Sequence, residues 1–471
     1  LPAKGAHLAA APREIRLTFT EAPELPATRI ELIGPDGKPL PLAALHAVAD
    51  SAQVIVARIM GPLGAGAYSV RWQIAGKDGH PVRDRFSFTI VPGAAGLEVA
   101  ADARTGPAGD SAAGGSAAAG TAPQETHHDP ASLPQSESGF DAESPLYAAI
   151  RWLTFAGILL ILGAVSFHLF VLGSLRRMNT GARLVPTASA RAASIGGWAA
   201  VALLVVTLLR LYAQSFALHG AEQALNADLL TGLVRHTAWG RGWLLQIAAV
   251  VISLVAFRAV RRGSTWGWPT VVVAALMLAV TPALSGHAAS APRLTSFAIL
   301  TDTAHVVGAG GWMGSLAVLL AAGIPSALLV PDEERGPAVA GLVNAFSPTA
   351  LVFAGISAAT GVFAAWLHLG TVSALWQSDY GRTLLIKVAV LSVVAGTGAY
   401  NWRRVKPTLG DAAGTRRIRR SATVEVTVAV LVLAVTAVLV ATPPPATMAG
   451  TGTEGSASMP PVASPDSLPP P

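Results

Sequence analysis

From about residue 145 to about 441 one pattern repeats: runs of roughly 20 apolar residues separated by short loops that carry clustered arginines. A run of that length is what an α-helix needs to cross ~30 Å of hydrocarbon at about 1.5 Å per residue. The chain is 52% hydrophobic and only 13% charged, against about 25% charged in a soluble domain, and its mean hydropathy is +0.51. These values describe an integral membrane protein. Eight transmembrane helices are expected, at approximately 147–172, 193–217, 243–260, 267–285, 297–321, 347–368, 383–402 and 422–441.

The net charge of +6 and pI near 10.0 do not point to nucleic acid, because the arginines occupy loops where they set membrane orientation. Arg176, Arg177, Arg183 and Arg191 follow the first run, and Arg258, Arg261 and Arg262 follow the third. Arg403, Arg404, Lys406, Arg416, Arg417, Arg419 and Arg420 follow the seventh. All three loops are expected to be cytoplasmic. The loop after the fifth run, with Asp332, Glu333, Glu334 and Arg335, belongs to the same side but lacks a positive excess. With eight spans, both termini lie outside. The chain has no cysteine, which excludes thiolate metal sites, catalytic cysteines and disulfides. It opens on Leu1-Pro2 without an initiator Met or a basic-then-apolar leader, which reads as a removed signal peptide or a missing start.

The first 92 residues have another character. "EIRLTFT", "TRIELIG", "AQVIVARI", "AYSVRWQIAG" and "RFSFTIV" are short alternating runs rich in β-branched and aromatic residues. Turn signals such as Pro35-Asp36-Gly37 separate them, and the spacing predicts an all-β sandwich. Residues 93–144, rich in Gly, Ala, Ser and Pro, cannot bury a core and read as a flexible linker. Residues 145–442 form the helical part, and the Pro-rich tail 443–471 is expected to be disordered.

Of eleven histidines, six lie in or beside the membrane part. His219, His236, His287, His305 and His368 fall at or just beneath the outer face, whereas His168 lies near the inner end of the first run. Histidine at an interface needs no special role. His305, however, is within a span and shares a helix face with Asp302 three residues earlier, and a carboxylate there can fix an imidazole's tautomer. Ionisable groups inside spans face a bundle interior or an aqueous cavity. Arg210 and Lys387 have a plainer reading, snorkelling outward. An outward-facing histidine set without cysteine suits copper, zinc, iron or nickel. Met313 is a soft sulfur donor by chemistry but reads first as packing, and Gly308 to Ser315, "GAGGWMGS", lets a neighbouring helix approach closely. In "KDGHPVRDRFSF", Asp78-Gly79-His80 is either a polar turn or half of a metal site.

The first ~92 residues resemble the CopC copper-binding domain through "PAKGAHLAAAPREIRLTFTE" and "GAYSVRWQIAGKDGHPVRDRFSFTI". The membrane part resembles the CopD copper-resistance or copper-uptake family through "SGHA", "DTAHVVGAGGWMGSL", "YGRTLLIKVAVL" and "RRSATVEVTVAVLVLAV". The order matches CopC–CopD fusions. The resemblance implies a cupredoxin-like sandwich or barrel holding Cu(II) in the periplasm, above an eight-helix bundle handling Cu(I) or Cu(II). Its implied ligands include Asp78 and His80; the family's N-terminal histidine has no match, and His7 aligns with an apolar position. The outer histidines His287, His305 and His368, with His219, are then read as the copper entrance of the bundle, Asp302 and Met313 as weaker candidates there, and His127 and His128 as a weak transfer site in the linker. The function expected is copper binding outside the inner membrane and copper transport across it, inward, for copper homeostasis and resistance, without enzymatic chemistry. The alternatives are a haem-containing membrane reductase of Cu(II) and a non-transporting copper sensor or chaperone anchor. The partners expected are copper ions, inner-membrane lipid and periplasmic copper proteins.

Overall fold

The computed structural model describes residues 1–19, 22–49, 51–76, 81–91, 144–284, 295–400, 403 and 412–440. The side chains of residues 81, 399, 400, 412–422, 425, 426 and 429 are not described.

Alternation builds the N-terminal part. The five runs read from the sequence become β2 (Glu14–Thr18), β3 (Arg29–Ile33), β6 (Ser51–Arg58), β7 (Gly66–Ala75) and β8 (Pro81–Ile90). Three short strands, β1 (His7–Leu8), β4 (Pro39–Leu40) and β5 (His46–Val48), complete two sheets, ordered β1-β8-β7-β3-β4 and β2-β6-β5. Every second residue points inward. Ile15 and Leu17, Tyr68 and Val70, Phe88 and Ile90 are therefore buried together between the sheets. The Tyr68 and Phe88 rings stack with centroids 5.3 Å apart. This is a β sandwich.

Over the described residues, each of the eight apolar runs has its helix. These are α1 (Pro145–Arg177), α2 (Leu184–His219), α4 (Ala238–Arg261), α5 (Gly267–Leu284), α6 (Thr295–Ala327), α7 (Asp332–Leu369), α9 (Asp379–Tyr400) and α10 (Ala412–Leu439). Two short helices, α3 (Ala227–His236) and α8 (Ala374–Gln377), lie in loops. Among the described residues seven helices are long and apolar enough to cross a membrane; within α10 the apolar stretch so described is Val430–Leu439. Packing passes from α2 to α4, α4 to α5, α5 to α6 and α6 to α7, with α1 against α2, α6 and α10.

The glycine-rich stretch of α6 works as its sequence suggests, in two directions. A Cβ on Gly314 would lie 2.0 Å from the Leu159 carbonyl oxygen, and one on Gly310 2.5 Å from Leu162 Cβ, both on α1. Gly308 and Gly311 meet Ser357 and Phe353 of α7 in the same way. Only a residue without a side chain permits such backbone approach.

The acidic loop after α6 has a local explanation. Asp332, Glu333 and Glu334 occupy the first turn of α7, where carboxylates match the helix dipole. Arg335 pairs with Asp332 at 2.6 Å, and Glu334 reaches Arg183 of the loop after α1 at 3.5 Å. The two loops therefore share one end of the bundle. The sandwich sits at the other end, against the last turn of α2 and the first of α4.

Candidate metal centre

The site begins with one imidazole. His305 on α6 is half-buried, and its Nδ1 lies 2.9 Å from the Ser357 carbonyl oxygen and 3.1 Å from Thr360 Oγ1, both on α7. A carbonyl can only accept, so Nδ1 carries the proton and Nε2 keeps its lone pair. A hydrogen bond to the far nitrogen is how a protein orients an imidazole ligand and raises its basicity. Gly361 gives the ring room: a Cβ there would stand 3.2 Å from His305 Cε1.

Around this ring lie groups from α9. Lys387 is close enough to Asp302 and His305 to interact electrostatically with both. Lys387 is half-buried rather than exposed, so its charge faces the bundle, which corrects the outward-snorkelling reading. Asp302 also faces Tyr380, whose ring lies 6.0 Å from that of His368. His368 is seven residues beyond Gly361 on the same helix, two turns or about 10 Å nearer the outer end. Met313 lies two turns inward of His305, buried against Val432 with Trp312, Val390 and Leu391. Its contacts are apolar packing. These polar residues of α6, α7 and α9 are linked pairwise into a string: His368 with Tyr380, and, through electrostatic interaction, Tyr380 with Asp302 and Lys387 with both Asp302 and His305.

The structure does not gather the sequence-predicted histidines into one cage. Among the described residues no group of three His, Asp or Glu side chains is arranged to hold a metal ion. His219 lies on α2, at the seat of the sandwich, with Nδ1 3.3 Å from Ser215 Oγ and Arg29 of β3 nearby. His219 thus lies at the contact between the sandwich and α2. His7 is held at Thr89 by the β1–β8 pairing, eight residues from Pro81 and so about 26 Å from that end of β8. Asp78, His80, His127, His128 and His287 lie outside the described residues.

His168 is fully engaged. Its Nε2 accepts from Arg176 at 3.4 Å and its Nδ1 contacts Ser189 Oγ at 3.0 Å, while the ring stacks on Trp268 at 3.8 Å. An imidazole with both nitrogens occupied has no lone pair left over for a metal. Ser357, Thr360 and Tyr380 were not singled out from sequence. Ser357 contributes a backbone carbonyl, which no residue pattern marks.

Comparison with known proteins adds three family matches: the CopC domain over residues 1–91, the N-terminal domain of copper resistance protein D-like proteins over 141–297, and copper resistance protein D over 340–439. Together they cover well over half of the chain. Copper transport protein CutJ of Bacillus subtilis is 24% identical over 409 residues, 85% of this chain and 66% of that relative's length. Copper resistance protein D of Pseudomonas syringae is 26% identical over 308 residues, 62% of this chain and 94% of that protein. The crystal structure of CopC from Methylosinus trichosporium OB3b is 26% identical, covering 19% of this chain and 87% of that one, with a TM-score of 0.18.

Proposed function

The chain belongs to the CopC–CopD fusion family of copper resistance and copper transport proteins, and on that premise we propose that it binds copper outside the inner membrane and carries it inward across the bilayer. In this reading the sandwich, residues 1–92, is periplasmic and offers Asp78 and His80 to Cu(II), which favours tetragonal nitrogen and oxygen donors. The bundle, residues 145–442, receives copper along the string from His368 to His305. Copper is cargo here and meets donors in succession. Conduction needs sites weak enough to leave as well as to enter, and a file of one or two donors satisfies that better than a closed three-ligand cage.

The observation that carries the reading is His305. Its Nδ1 is committed to Ser357, so the lone pair on Nε2 is available to a metal. No nucleotide-binding loop is present in the sequence, so inward movement is driven by a gradient or by ligand exchange. Copper accumulation in cells expressing His305→Ala is expected to fall about tenfold or more relative to wild type. Unchanged accumulation, with equal amounts of protein in the membrane, removes His305 from the path.

A further inference from the structure

The sandwich and the bundle meet through residues marked by neither the strand pattern nor the apolar runs. Helix α2 ends at His219, and the carbonyls of a helix's last turn have no partner further along the chain. Side chains of the sandwich take two of them. Gln73 Nε2 donates to the Leu218 carbonyl at 2.7 Å, and the Arg83 guanidinium donates to the Ala217 carbonyl. Gln73 and Arg83 are cross-strand partners on β7 and β8, and Arg83 Nε donates to Gln73 Oε1 at 2.8 Å, which holds the two donors as a pair.

At the start of α4 the sign reverses. Glu24 Oε1 accepts from the Ala238 N–H at 3.1 Å, beside Thr237 Oγ1, which accepts from the Gly240 N–H at 2.9 Å. A cation on a helix C-terminus and a carboxylate on a helix N-terminus both match the helix dipole. Because α2 and α4 are consecutive spans, they present opposite ends to the same side, and the sandwich meets each with the opposite charge. Between these contacts Ala27 and Ala75 of the sandwich are buried with Leu218, Leu233, Trp239 and Trp243. At the edge Arg29 Nη2 donates to Gln223 Oε1 at 3.3 Å.

We propose that the outer ends of α2 and α4 are a receptor surface for the chain's own β sandwich, and that the sandwich works seated there instead of swinging freely on its linker. Two charges of opposite sign, fixed on two helix ends, accept one orientation and reject its reverse. The strands that make the contact, β7 and β8, are those that flank residues 77–80 in the chain. What the seated sandwich delivers rests on the function proposed above; the seat itself does not depend on copper.

The chain has no cysteine, so introduced pairs report cleanly. In the full chain in membranes, Arg29→Cys with Gln223→Cys spans the seat, whereas Arg29→Cys with Thr371→Cys links the sandwich to the outer end of α7. With a short bis-maleimide the first pair is expected to cross-link roughly tenfold faster than the second. Adding Arg83→Glu should bring it down to the second pair's rate. Ser69→Cys with Ser87→Cys, cross-strand partners within the sandwich, must cross-link unchanged. If Arg83→Glu disturbs that control, Glu24→Lys replaces it with the same expectation. Equal rates for the two inter-domain pairs in an otherwise native chain overturn the seat. The locked Arg29→Cys/Gln223→Cys chain should still accumulate copper like the unlocked one, and loss of accumulation on locking overturns the claim that the sandwich works seated. If the unlocked chain accumulates none, the proposed function fails, and the seat is judged by the cross-linking rates alone.

Discussion

At His305, a three-residue spacing and a tertiary contact complete each other. That Asp302 and His305 share a helix face was legible because positions three apart do so whatever the fold, but the group that orients His305 is the Ser357 carbonyl of α7 and not the Asp302 carboxylate. The role of Lys387 was not legible. A lysine two turns inside a span can reach the interface or the bundle interior, and which it does depends on the rotation of α9, which its own sequence leaves open. The structure turns it inward, toward Asp302. Removing either charge leaves the other in a poorly solvated place, a cost the double substitution escapes. Lys387→Met and Asp302→Asn are each expected to destabilise the protein. The double variant should be more stable than the summed losses by about 0.5–3 kcal/mol. Denaturant titrations of the four proteins in detergent provide the test, and strict additivity would remove the electrostatic link. Asp78 and His80 are the opposite case: the residues alone leave a polar turn and half a metal site open, only the resemblance makes them ligands, and they lie outside the described residues.

At the scale of elements, length decided what could be read. The eight apolar runs and the five longer strands declare themselves by periodicity, and each becomes an element. Strands β1, β4 and β5 have two or three residues each, too few to establish a period of two, and exist because a neighbouring edge was available. Helix α6 held more information than its hydropathy, since its glycines specify two partners by position. Gly310 and Gly314 serve α1; Gly308 and Gly311 serve α7. Gly314→Ala would press a methyl group against the Leu159 carbonyl and is expected to cost about 1–3 kcal/mol, or more if α1 cannot shift. Gly355→Ala on α7 is the matched control, because a Cβ there meets nothing within 4 Å. That change should stabilise the helix by up to about 1 kcal/mol. Thermal unfolding that ranks the two variants the other way would contradict the close α1–α6 approach.

At the scale of the molecule, linker composition and domain contact lead to different mechanisms. A Gly-, Ala- and Ser-rich linker suggests a donor that finds its acceptor by diffusion within a small volume. Gln73, Arg83 and Glu24 contacting Leu218, Ala217 and Ala238 describe a sandwich already in place. Nothing in the sequence could disclose this, because the contacts join positions more than a hundred residues apart and each residue alone looks like ordinary surface. The two mechanisms differ in how they respond to linker length. For a diffusing donor the effective concentration falls roughly as the −3/2 power of length, so doubling the segment 93–144, read from sequence as a linker and outside the described residues up to 143, should cut delivery by about threefold. A seated donor is held by its interface, and the same insertion should leave copper accumulation unchanged. Combining the doubled linker with Arg83→Glu sharpens the comparison. With the seat weakened, the length dependence should reappear, because the linker then becomes the main constraint on encounter. A threefold loss in the otherwise wild-type chain, or no length dependence with Arg83→Glu, would return the linker and the seat to the roles their sequences alone suggest.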